Sequence, residues 1–104
     1  MSVKNQGIIK QLNLLKGNIN LTNEMLDNTN TRQELKENSV LLDLLKTMKE
    51  MEPKVFDLIQ NNDGDEDVMS CCLLVNEDMQ KTFQRFKAIK NNEKPEPFQP
   101  GEFL

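Results

Sequence analysis

Few side chains in this sequence could act as a nucleophile or a metal ligand. The candidates are two adjacent cysteines, Cys71 and Cys72, and an acidic run, Asp63, Asp65, Glu66 and Asp67. A reactive thiolate needs a base or cation beside it, and the chain contains no histidine at all. Neighbours on a helix point about 100° apart, so a Cys71–Cys72 disulfide would be strained. With no third cysteine to pair with, both read as reduced thiols of an intracellular protein. The acidic run fails as a calcium loop, because putting Gly64 at the sixth position sets Ile59 where the first carboxylate belongs. The triplet Asn20-Leu21-Thr22 matches a glycosylation acceptor but falls in the middle of a helical pattern. The expectation is a protein without catalytic residues, metal or cofactor.

Charge and hydropathy narrow the class further. Among 104 residues, 13 basic side chains stand against 17 acidic ones, a formal charge of −4 that disfavours nucleic acid as a partner. No apolar run reaches the roughly 18 residues of a membrane span. The polar stretch 1–6 has no signal-peptide character. These features predict a cytoplasmic protein with no direct membrane insertion, built as one domain.

Three stretches carry helical periodicity. In the first, 5–26, Ile8, Leu12, Leu15, Ile19, Thr22 and Leu26 recur at spacings of three and four, which defines one buried seam. Gly17 weakens this helix, and the cap and turn residues of 27–31 end it. The second stretch, 31–60, has apolar positions Leu35, Val40, Leu41, Leu44, Leu45, Met48, Met51, Val55, Phe56, Leu58 and Ile59. Pro53 lies within it, and because the apolar period resumes in phase beyond the proline, a kink near 49–53 is expected rather than a break. The third, 66–91, repeats the seam with Val68, Cys72, Val75, Met79, Phe83, Phe86 and Ile89, after an acidic loop whose last members can cap it. Three of the four prolines follow residue 92. The predicted fold is all-α, an antiparallel three-helix bundle over 1–92 with an extended, proline-containing tail over 93–104.

Function is then sought in apolar residues that the seams leave over. Leu14, Leu21 and Met25 lie off the first seam, and Leu21 and Met25, four apart, share a face. On the third helix Met69 and Leu73 are likewise four apart, and Glu77 extends their row by a turn. Such rows either widen the core faces or serve weak protein binding, for which methionine's adaptability suits.

At these residues the sequence resembles a known family. The phrase G-N-I-N-L-T-N-E-M-L over 17–26 resembles the first-helix signature of GAT domains. M-E-P-K-V-F-D-L-I over 51–59 resembles the end of their second helix, and L-L-V-N-E-D-M-Q-K-T-F over 73–83 their third, closest to the target-of-Myb type. The resemblance implies a ubiquitin-binding module of an adaptor that sorts ubiquitinated cargo in endosomal and trans-Golgi vesicle traffic. Two weak sites would contact ubiquitin's apolar patch. Family positions carried onto this chain put Leu21, Met25 and Asp43 in the first site and Met69, Leu73 and Glu77 in the second. It implies a monomer, held peripherally at endosomes or the trans-Golgi through partners that include other endosomal adaptors. A VHS domain would precede this segment and a clathrin-binding tail would follow it in the whole adaptor, and nothing in the residues before Ile8 suggests Arf binding.

A second reading of the same pattern is a structural or oligomerising helical module of a tethering assembly, whose seams extend between chains. It predicts an oligomer where the adaptor reading predicts a monomer. In the tail, Phe98 and Phe103 among prolines read as a linker.

Overall fold

The computed structural model describes residues 3–61 and 65–101, with side chains from residue 6 onward. Among these residues the chain forms four α-helices: α1 (Val3–Asp27), α2 (Arg32–Glu37), α3 (Ser39–Asn61) and α4 (Glu66–Lys90). Most seam positions bury, while Ile8, Phe83 and Phe86 are half-buried. Leu12, Leu15, Ile19, Thr22 and Leu26 of α1 are buried, as are Leu41, Leu45, Met48 and Val55 of α3 and Val68, Cys72, Val75, Met79 and Ile89 of α4.

The core falls into two clusters that reveal the packing. One joins Leu12, Leu15 and Ile19 to Met48 and Val55 and to Val68, Cys72, Val75 and Met79. The other joins Leu26 to Leu35, Leu41, Leu45 and Ile89. The start of α1 therefore lies beside the start of α4 and the later half of α3, so the long helices alternate in direction.

Sequence periodicity expects three helices, and the structure has four. The second predicted helix is divided at Asn38, whose amide N–H closes α2 on the carbonyl of Leu35 while its own Oδ1 accepts the N–H of Leu41 at 3.0 Å and opens α3. Asparagine suits this double role because its short side chain competes for backbone donors. Thr31 caps the other end of α2 by accepting the N–H of Glu34 at 3.0 Å, and Glu34 reaches back to the N–H of Asn30 at 2.8 Å. At Pro53, by contrast, α3 continues as one helix, so no break occurs there.

Two apolar positions assigned to the second helix are not core. Val40 and Phe56 are exposed, 58% and 52%, while Leu44, Met51, Leu58 and Ile59 are half-buried. Of the acidic loop, Asn62, Asp63 and Gly64 lie outside the described residues, but Asp65 caps α4 as expected, its carboxylate accepting the N–H of Val68 at 3.1 Å. Lys87 and Lys90 sit in the last turn of α4, where the helix dipole favours cations.

Gly17 lies on the exposed face of α1, and a methyl group added there would meet nothing. Gly17→Ala is expected to raise the unfolding free energy by about 0.5–1 kcal/mol, by helix propensity alone. Urea denaturation reads this directly; an unchanged or lower midpoint would show that the position is constrained.

Candidate functional site

The six residues singled out for binding lie on three helices, Leu21 and Met25 on α1, Asp43 on α3, and Met69, Leu73 and Glu77 on α4. Gln11, Asn18 and Met25, spaced by seven, form one stripe of α1, and Gln11 lines a groove of about 350 Å³ with Met51, Lys54 and Leu58 of α3. That stripe faces α3, and Met25 packs against the second core cluster. Leu21 stands one row further out, 46% exposed, in line with the exposed Leu14. On α3, Asp43 is exposed, with its backbone carbonyl accepting the Thr47 hydroxyl at 3.1 Å. None of Leu21, Met25 and Asp43 lines that groove; Met25 lies at the opposite end of α1, where Leu26 meets Leu41 and Leu45.

Met69, Leu73 and Glu77 follow one another along α4. Met69 and Leu73 share a face with Asn76 and Gln80, and Gln80 donates a hydrogen bond to the Glu52 carboxylate of α3. One turn along, the Lys49 ammonium sits 4.3 Å from the centre of the Phe83 ring. These two contacts turn the α3 stripe Lys49, Glu52, Phe56 toward α4. Phe56 continues that stripe, and both Phe56 and Leu73 are 52% exposed. Glu77, at the outer edge, pairs with Lys81 at 3.3 Å across one helical turn. Such an exposed pair contributes little to stability, so its carboxylate can change partners at low cost.

Sequence reasoning leaves out Phe56 because the apolar run of the second helix absorbs it. Its phase was legible: it falls four residues after Glu52 and seven after Lys49, on a charged stripe. A second omission is a buried polar assembly between α1 and α4. The Arg85 guanidinium donates to Asn23 Oδ1 at 2.8 Å and to Asp27 Oδ1 at 2.5 Å, and Asn23 Nδ2 donates to the Thr82 hydroxyl at 2.8 Å. This assembly sets the α1–α4 register and so fixes which residues the outer faces present.

The cysteines are chemically quiet. Burial pushes the Cys72 thiol up from 9.0 to about 11, with the neighbouring Cys71 adding to the rise. Cys71 is raised too, again by burial, with Lys16 working in the opposite direction. Because the folded thiol holds its proton above the unfolded value, stability is intact below pH 9 and falls as pH climbs through the folded pKa. Thermal unfolding followed from pH 8 to 11 is expected to show this loss, with a shallower slope in Cys72→Val. Equal slopes would mean that Cys72 does not titrate with unfolding. No group of acidic and cysteine side chains able to hold a metal occurs among the described residues.

The GAT domain family profile matches residues 16–92, and the chain belongs to that family of helical, protein-binding modules of trafficking adaptors. No curated protein and no solved structure matches it. Among the described residues no helix is long and apolar enough to cross a membrane.

Proposed function

We propose that this chain is a ubiquitin-binding module of a cargo-sorting adaptor in endosomal and trans-Golgi traffic, nearer the target-of-Myb type than the GGA type. The observation that carries the proposal is the exposed Leu73, at 52%, one turn from Met69, with Phe56 equally exposed on the α3 stripe that contacts α4. An isolated surface leucine needs no explanation, but an exposed leucine and phenylalanine on adjoining helices offer apolar surface to a partner. Glu77 supplies a carboxylate at its rim for a basic residue of the partner. A second, weaker surface is Leu21 with Met25 and Asp43, where Met25 is held partly by the core.

The physics is that of a small, transient contact. An interface below about 1,200 Å² gives dissociation constants on the order of 10–1,000 μM. Function in sorting then depends on several ubiquitins engaged at once. Surface plasmon resonance over immobilised mono-, di- and tetra-ubiquitin tests this: apparent affinity is expected to rise steeply with chain length. No binding to any of the three at about 1 mM of the domain, the weak end of that affinity range, would overturn the proposal. Light scattering in the same buffer should give a monomer.

A further inference from the structure

Beyond the last helix, the chain does not leave the domain. Asn92 adopts a left-handed conformation, φ 59°, after Asn91 and Asn92 have closed the last turn of α4, and the chain turns back. Residues 93–101 then run along the side of α4 that lies next to α1, without regular secondary structure. Three contacts hold them. Phe98 packs against the first core cluster. Lys81 Nζ donates to the backbone carbonyl of Gln99 at 3.2 Å. The amide of Gly101 donates to Asp78 Oδ1 at 3.0 Å.

We infer that this face of α4 is a recognition groove for an extended, proline-flanked Phe-x-x-Gly peptide, and that its occupant is the chain's own tail, 95–101. Each contact is of a kind that reads a peptide. An aromatic anchor fills an apolar recess, and two main-chain groups meet charged side chains of fixed position. Asp78 is 1% exposed, and apart from Lys81 at 3.9 Å the Gly101 amide is the donor that meets its carboxylate. Gly101 lies close against Leu74, and a Cβ there would make the tip of the Leu74 side chain turn aside. Pro95, Pro97 and Pro100 keep the segment extended before it docks, which lowers the entropy lost on docking. Between the tail and α4 is an open space of about 780 Å³, lined by Lys81, Gln84, Arg85 and Ala88 on the helix side and by Glu96 and Phe98 on the tail side. The tail is a strap that meets the packed interior through Phe98. While it is seated, the α1–α4 face is closed to other extended segments, and the surfaces carrying Leu21 and Leu73 stay open.

The test is ¹⁵N relaxation on the full chain. The steady-state heteronuclear NOE of residues 95–101 is expected to approach that of α4 in the unsubstituted chain. It should fall to values of an unfolded tail in both Phe98→Ala and Asp78→Ala. Phe98→Ala lies outside the helices, so it leaves them folded even if the loss of Asp78 disturbs α4. A tail ordered in cis must bind in trans at or below the effective concentration of a short tether, in the mM range. A synthetic 93–104 peptide at about 5 mM, above that effective concentration, is therefore expected to shift the amides of Leu74, Asp78 and Lys81 in the Phe98→Ala chain. Low NOE values in the unsubstituted tail, values indifferent to both substitutions, or a peptide that shifts nothing would each overturn the inference.

Discussion

Arg85→Ala is expected to lower the unfolding free energy by about 2–4 kcal/mol, although Arg85 belongs to none of the apolar seams. The side chain is 6% exposed and its guanidinium ties two segments of α1 to α4, through Asn23 and Asp27. Truncation would strip Asn23 Oδ1 of a donor inside the protein and open a cavity between the helices. Asp27 behaves differently, because its side chain is 62% exposed and water replaces the lost partner, so Asp27→Asn should cost well under 1 kcal/mol. The arginine is also not ideally satisfied, since its Nε is buried without an acceptor. Arg85→Met, which fills the space without needing hydrogen bonds, is accordingly expected to be less damaging than Arg85→Ala. Guanidinium denaturation of the three variants measures these differences. Equal losses for Met and Ala would contradict the packing argument, and a loss below about 0.5 kcal/mol for Ala, the usual range of inconsequential surface changes, would contradict the structural role.

The second large effect falls on binding and leaves folding almost untouched. Leu73→Ala removes the most exposed aliphatic side chain of the α4 row, so its effect on stability should stay within about 0.5 kcal/mol. If the row docks against an apolar patch of ubiquitin, the same truncation deletes a central contact worth about 1–2 kcal/mol, or roughly 5- to 30-fold in affinity. Phe56→Ala should weaken binding too, because its ring is equally exposed on the α3 stripe that contacts α4. Leu14→Ala should not, because Leu14 lies on α1, outside that surface, which makes it a control for general loss of apolar surface.

How much of this could be read from the sequence depends on what kind of force places each residue. Seam positions such as Ile19, Met48 and Val75 were legible because burial imposes a helical period on apolar residues. Asn38 was harder, since a single capping asparagine within an otherwise continuous pattern leaves the period unbroken while it splits the helix. Pro53 carried a stronger local signal and divided nothing. Asn23, Thr82 and Arg85 were illegible as core because a polar side chain counts as solvent-facing until its partner, 59 and 62 residues away, is known. For the binding surfaces, subtracting the seams isolates Leu21, Met25, Met69 and Leu73. Phe56 was lost because an apolar run wider than the core absorbed it. The tail looked like a linker for the same reason as Arg85: its anchors, Asp78 and Lys81, are distant charged residues with no periodic signature.

The proposed role is tested most directly by titrating the ¹⁵N-labelled chain with monoubiquitin and following backbone amides. Progressive shifts centred on Met69, Leu73, Glu77 and Phe56, largely abolished in Leu73→Ala, are the predicted result, with a weaker second set around Leu21, Met25 and Asp43. A spectrum unchanged at about 1 mM ubiquitin, the weak end of the expected affinity range, or shifts that survive Leu73→Ala intact, would contradict the proposal that this face reads ubiquitin.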